Sequence, residues 1–434
     1  MKRMFSVSAV AILAAGAASA NPFELFGYTP RALGMGNAMT GVTDDLASSF
    51  YNPAGLLGHT KTEFGLGFAD TFSQLHIDRA NPSSAVSSSV AESAPRFEVG
   101  LIFPLGGALL KDRVVIGIGG GHPVGSLVRV QTIDQSHPQF YMYQSKPQRF
   151  AFNGALGIKI INGVSIGAGV QITAQQIGHV DFQLDVASRQ FKARDITVEL
   201  KTVPTPTAGI LIEPNDSLRF GLSWRREAKL YYTQPTNIDL GDIGNLNLDV
   251  TGLAQYWPDV FSAGVSVKPT SRWLISAQVD YLRWSQSPND QVSVKVTPSK
   301  GIIDGLGLGS VLGFSSQDAR PGFSDILVPH LGIEFAANDV LTVRAGGWVR
   351  PAVTPDQNGT TNYLDNFSES VSAGVSFRFL DPLKVFTDPV TFDLGGQLIF
   401  ANERTNKKQA ADPVGGASYG GMLYSVSAML RYLY

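Results

Sequence analysis

The sequence predicts an all-β fold: a transmembrane antiparallel β-barrel of about 14 strands with an N-terminal helical hatch, or plug, inside the lumen. Three observations lead there. Apolar and polar residues alternate with period two through most of the chain. Short turns alternate with long loops. The composition is apolar overall yet lacks any long apolar block after the N-terminus.

Composition sets the class. Of 434 residues, 44% are apolar and 16% charged, whereas about a quarter of a soluble domain is charged. Beyond the N-terminus no segment approaches the roughly 18 apolar residues of a spanning helix, which excludes a helical inner-membrane protein. A barrel fits, because its apolar surface is spread over alternate residues. There are no cysteines, so disulfides and thiolate chemistry are excluded. A net charge of -2 gives no footing for nucleic acid.

The elements follow in chain order. Lys2 and Arg3 precede the apolar run Val7 to Ala18, which ends in Ala18-Ser19-Ala20. That pattern is a secretory signal peptide over 1–20, with a mature chain from Asn21. Residues 21–60 do not alternate. They hold a helix start at Thr43-Asp44-Asp45, acidic in its first turn, and a stop at Pro53, with Asn52 extended before it. A wide barrel leaves a lumen, and this apolar segment has no other core to join, so it reads as a plug of short helices.

The barrel occupies 61–434. Trp273, Ile275, Ala277, Val279 and Tyr281 alternate with Ser276, Gln278 and Asp280. Val371 to Phe379, Phe261 to Lys268 and Val164 to Ile172 behave alike. Short turns fall near 112, 162, 215, 270, 338 and 385. Long loops span roughly 74–95, 131–146, 183–194, 233–256, 287–324, 351–366 and 404–418. Six turns and seven loops imply an even fourteen strands, with both ends on the short-turn side. The pattern is least marked in the strands near 164–182 and 195–213. In the last strand Tyr424, Val426, Ala428, Leu430, Tyr432 and Tyr434 share one face, and Ser425, Ser427, Met429 and Arg431 share the other. Tyr434 reads as part of the assembly signal of such barrels. Its deletion is expected to reduce membrane assembly more than ligand affinity; normal insertion of that variant would reduce Tyr434 to a strand end.

With these pieces in place, the chain resembles the FadL family (OmpP1/FadL/TodX type) of outer-membrane transporters for long-chain fatty acids and other hydrophobic compounds. RALGMGNAMTGVTDDLASSFYNPAGL looks like the family's N-terminal hatch, with its motif at Asn52, Pro53 and Ala54. The stretches 205–230 and 261–285 are similar to strand pairs of the family, and VLTVRAGGWVRPAVTP with SVSAGVSFRF resembles its C-terminal third. The resemblance implies passive, gated uptake in the outer membrane of a Gram-negative bacterium by a monomer. Its partners would be a fatty acid-like hydrophobic ligand, outer-membrane lipid and the barrel assembly machinery. It also implies release through hatch movement and a kink in the third strand, here about 114–130. Gly119, Gly120, Gly121 and Pro123 suit a gate there, or a bulge that bends the wall.

Candidate ligand-binding residues are Leu33, Met35, Met39, Phe50, Leu56 and Leu57 of the hatch, which equally fit as packing against the lumen. Arg31, Arg344 and Arg378 are candidates to hold a ligand carboxylate, against the alternative of pairing with lumen acids. The loop 301–314 reads either as an apolar capture loop or as packing on the barrel mouth. The Phe140-Tyr141-Met142-Tyr143 cluster reads first as part of the interfacial girdle and second as a capture site. The six histidines show no metal-ligand spacing, and no nucleophile motif is present. The expectation is therefore no enzyme, no cofactor and no metal. A general porin is the alternative in the channel class, and a secretion-associated barrel the alternative in the interaction class. A plug argues against the open porin.

Overall fold

The computed structural model describes residues 22–42, 44–79, 93, 95–107, 110–124, 138–143, 150–185, 190–240, 244–288, 293–299, 314–315, 322–357, 361–381, 388–408 and 415–434. The expected signal peptide, Thr43 and the expected loop residues 301–313 lie outside them.

Fourteen strands close a ring. The first seven are β1 (Glu63–Arg79), β2 (Arg96–Pro104), β3 (Val114–Pro123), β4 (Ala151–Ile161), β5 (Val164–Asp185), β6 (Gln190–Asn215) and β7 (Leu218–Arg225). The rest are β8 (Val260–Thr270), β9 (Trp273–Leu282), β10 (Ile326–Ala336), β11 (Leu341–Arg350), β12 (Ser368–Phe379), β13 (Val390–Asn406) and β14 (Ala417–Leu433). Each pairs antiparallel with the next. β14 closes on β1, from Arg79↔Ala417 to Glu63↔Leu433, so both ends of the ring's chain lie at the short-turn edge. Closure leaves no strand edge facing lipid, which a membrane demands because no water is there to pair with it.

The alternation in sequence is the alternation in space. In β9, Trp273, Ile275, Val279 and Tyr281 are exposed on the outer face, while Leu274, Ser276, Gln278 and Leu282 are buried. In β14, Val426 and Leu430 face out, and Ser425, Ser427 and Met429 are buried. Aromatic residues gather at the outer rims: Trp273 lies 4.4 Å from Phe335, and Tyr424 stacks on Phe72 at 5.4 Å between ring centroids.

Two expected loops are instead strands. The ladder of β5 and β6 continues through Phe182↔Ala193 to Asp185↔Gln190, with a register shift at Asp181/Phe182. Within 233–256, Ala228–Asp239 pairs with Asn245–Trp257. The second of these also pairs with Ser293–Ser299, and the first runs parallel to the outer part of β5. These strands stand on the long-loop side, away from the bilayer. In Ala228–Asp239 and Asn245–Trp257 most described residues are buried or half-buried, so no lipid-facing apolar row marks these strands in the sequence. One small cluster, Tyr232, Leu248, Val250 and Val296, is buried there.

The N-terminal segment runs across the inside of the ring as α1 (Pro22–Phe26), α2 (Pro30–Gly34), α3 (Ser48–Tyr51) and a 3₁₀ turn, Pro53–Gly58. The expected helix start at Thr43-Asp44-Asp45 is displaced. Asp44 has φ +70°, outside helical space, and helix begins only at Ser48. Asp45 instead accepts a hydrogen bond from the Ala47 N–H at 2.7 Å, capping the turn before it. Asn52 is extended, as expected before a proline, and Pro53 opens the 3₁₀ turn where it ends α3.

Candidate functional site

The segment 22–59 is seated on the wall through backbone contact. Many inward-facing wall positions are glycine, and the segment fills the space their side chains would occupy. A Cβ on Gly117 would lie 2.5 Å from Leu56, one on Gly221 2.0 Å from the Thr40 carbonyl, and one on Gly395 2.4 Å from the Pro30 carbonyl. Asn52 shows the same fit with polar chemistry. It is fully buried, donates from Nδ2 to the carbonyls of Thr40 (2.9 Å) and Ile210 of β6 (3.1 Å), and accepts from the Ala54 N–H (3.1 Å). Its Oδ1 would be 2.0 Å from a Cβ at Gly209. The Asn52-Pro53-Ala54 element thus joins the segment's fold to the wall, with three of the amide's hydrogen-bonding sites used.

The segment's apolar residues divide between two clusters. Met35, Met39 and Phe50 join Phe23, Tyr28 and Tyr51. Leu56 joins Leu46 and Met429, with half-buried Leu57 against them. Leu33 is buried, beside the position where Gly27 would carry a Cβ. The six hatch candidates therefore do not converge on one chamber. Phe50 also borders a small recess, shared with Tyr51, Trp224 and Arg225. Arg225 lies over the Phe50 ring, 4.2 Å from its centroid, and pairs with Glu24 at 3.0 Å. Burial lifts the Glu24 carboxyl to about 7, against the pull of Arg225.

A chain of buried ion pairs links the segment to the wall on the short-turn side. Arg31 holds Glu334 of β10 through Nε and Nη2 (2.8 and 2.9 Å), and Asp44 through Nη1 (2.8 Å). Arg344 of β11 meets the same Glu334 at 2.6 Å and Asp393 of β13 at 3.1 Å. Arg431 of β14 binds Asp393 and Glu63, and His59 lies 3.2 Å from Glu63. Arg31 and Arg344 are thus engaged with lumen acids, the alternative left open from sequence. Arg378 is exposed at the short-turn rim and joins no part of this network.

Above the segment, on the long-loop side, lies an aromatic column. The Phe140-Tyr141-Met142-Tyr143 cluster is not in the girdle. All four side chains are at most 1% exposed, deep within the lumen. Gln139–Phe140 pairs in parallel with Tyr363–Leu364 from another long loop, and this two-stranded bridge holds the rings inward. Tyr141 packs on Phe323 (4.5 Å), Tyr363 (5.2 Å) and Trp284 (6.0 Å), and Trp284 packs on Tyr256 (5.8 Å). The same apolar cluster extends down to Leu25 and Phe26 of α1. Ring contact at such distances stabilises the column beyond area burial alone.

The third-strand glycines sit where segment meets wall. Gly119 and Gly121 face Tyr28 and Phe23. The Tyr28 hydroxyl donates to the Val99 carbonyl of β2 (2.6 Å) and accepts from the Gly120 N–H of β3 (3.1 Å). Val99 and Gly120 are paired residues of the β2–β3 ladder, so one phenol of the segment bridges two adjacent wall strands.

A model for outer membrane protein transport proteins (OMPP1/FadL/TodX) matches residues 11–430. The chain belongs to this family. Alkane uptake protein A of Marinobacter nauticus is 24% identical over 417 residues, covering 92% of this chain and 88% of that protein. The fold matches a Pseudomonas aeruginosa FadL homologue with a TM-score of 0.58 at 15% identity, over 93% of this chain and 98% of that one. It matches the P. putida toluene transporter TodX with a TM-score of 0.60 at 12% identity, over 94% and 99% of the two chains. A FadL-family chain with this ring is a multi-pass barrel of the outer membrane.

Proposed function

We propose that this FadL-family barrel passes hydrophobic molecules across the outer membrane down their gradient, with residues 22–59 as a hatch. The aromatic column carries this reading. Inner faces of the barrel strands are otherwise rich in Ser, Thr, Gln and paired charge, yet an unbroken apolar cluster leads from the loop bridge at Phe140 and Tyr363 to Leu25 and Phe26. Such a path suits a lipophile and not a hydrated solute. The relatives named for alkane and toluene support the same substrate class. Closure of β14 on β1 supports action as a monomer. Release would follow movement of the hatch. Withdrawal of Tyr28 would remove its bridge between β2 and β3 beside Gly119, Gly120 and Gly121, making that seam the proposed exit.

The test is purification of the full chain in detergent, identification of co-purifying lipophiles, and ion conductance in planar bilayers, beside a variant lacking 22–58. The intact chain is expected to carry lipophiles and conduct little. The deletion is expected to conduct at least about 10-fold more, as a wide unplugged barrel does. Nonspecific conductance by the intact chain with no lipophile bound would leave the general porin reading in its place.

A further inference from the structure

We infer that the molecule passed by this barrel is uncharged: a neutral lipophile and not a fatty-acid anion. The inference rests on the transport reading above and concerns the charge its route accepts. A carboxylate taken out of water needs a cation with N–H groups free to receive it. Along the lumen, the described guanidiniums are already engaged.

At the mouth, Arg350 grips Asp365 through Nη1 (3.0 Å) and Nη2 (3.1 Å). Arg404 donates to the carbonyls of Thr354 and Asp365 and to Asp356. At the level of α1, Arg225 is held by Glu24. Arg96 gives Nε to the fully buried Glu98 (2.9 Å) and Nη2 to the carbonyls of Phe26 and Gly27. Arg350 Nε, Arg96 Nη1 and Arg219 Nη1 lack an acceptor among the described residues. Each is one nitrogen of a guanidinium already paired with a carboxylate, Asp365, Glu98 and Glu213 in turn, and not the pair of parallel nitrogens that binds carboxylate well.

Nearer the short-turn side the balance turns negative. Asp44, Asp45, Glu63, Glu334 and Asp393 outnumber Arg31, Arg344 and Arg431, and the next cation, Lys268, lies 3.8 Å from Asp44. An arriving anion would have to displace one of these acids, leaving it buried and unpaired, and would meet excess negative charge. A neutral molecule displaces none. A donor within the column is neutral: the Trp284 indole N–H, fully buried and without an acceptor among the described residues. It can receive a neutral oxygen or the face of a ring.

The experiment uses one chain length with two head groups. Radiolabelled 1-dodecanol and dodecanoate are compared by equilibrium dialysis against the purified full chain at pH 8, above the value of about 7 to which burial lifts Glu24. Dodecanol is expected to bind at least about 10-fold more tightly. Asp365→Asn, which frees Arg350, is expected to raise dodecanoate affinity severalfold. Glu98→Gln, which frees Arg96, serves as the second variant should the first fail to fold. Equal or tighter binding of dodecanoate to the unaltered chain overturns this inference and leaves the transport reading standing. Binding of neither ligand overturns both. No gain in dodecanoate binding by a folded variant overturns the charge argument.

Discussion

Replacing Arg344 with methionine is expected to lower the barrel's unfolding free energy by about 3 kcal/mol, the lower end of the cost of breaking a buried ion pair. Arg344 of β11 is the link between acids on two other strands, Glu334 of β10 and Asp393 of β13. It meets Glu334 at 2.6 Å and Asp393 at 3.1 Å, and only 4% of its side-chain surface is exposed. Methionine fills most of the volume, so packing loss is small and the effect reports the charge. Each acid keeps one partner, Arg31 for Glu334 and Arg431 for Asp393, which is why the lower end of the range applies. Arg31→Met in the same chain strips Glu334 of both cations. The double variant should therefore lose more than the two single losses added together, the sign of shared partners. Denaturant midpoints of the detergent-refolded barrel, followed by tryptophan fluorescence, give these values. A loss below about 1 kcal/mol for Arg344→Met would show that the pairs are screened like surface ones.

The wall was legible because lipid imposes a rule on single residues. Every outward position must be apolar, so strands such as β9 and β14 announce both their face and their register. Turn lengths then counted the strands. Beyond the bilayer that rule lapses, and most of Asn245–Trp257 and the outermost residues of β5 and β6, within 183–194, looked like loops. The Asn52-Pro53-Ala54 corner was also legible, since it follows from what proline permits next to it.

The lumen was less so. Arg31 and Glu334 stand 303 positions apart, and Arg431 and Glu63 stand 368 apart. A sequence shows these charges but not which acid each base will meet. The aromatic cluster at 140–143 has a composition that suits a girdle or a core equally. Its burial is decided by a parallel bridge to Tyr363–Leu364, which no local pattern signals. One sign was present but unread. Gly117, Gly119 and Gly121 share one face of β3, and a row of inward glycines is the mark of another backbone lying against the wall.

Gly36→Val should unseat the segment 22–59, the proposed hatch, while leaving the barrel intact. Gly36 has φ +60°, where a β-branched residue is strained by about 1–2 kcal/mol. A Cβ there would also lie 2.2 Å from the backbone nitrogen of Gly347 and 2.8 Å from its carbonyl oxygen in β11. Backbone cannot give way as a flexible side chain can, so the segment must lift from β11. Lifting removes the hydrogen bond between His330 Nδ1 and the Gly36 carbonyl (2.8 Å) and loosens Met35 from Gly332 and Gly346. None of these changes alters the ring's own ladder, so heat-modifiable mobility on gels should match the unaltered chain. Ion conductance in bilayers should rise severalfold, toward that of the chain lacking 22–58. Gly154→Ala is the control, because a Cβ there meets nothing within 4 Å, and it should change neither measurement. Should Gly36→Val assemble normally and conduct no more than the unaltered chain, the contact of Gly36 with β11 does not seal the lumen, and the seal must rest on the ion pairs and the aromatic column instead.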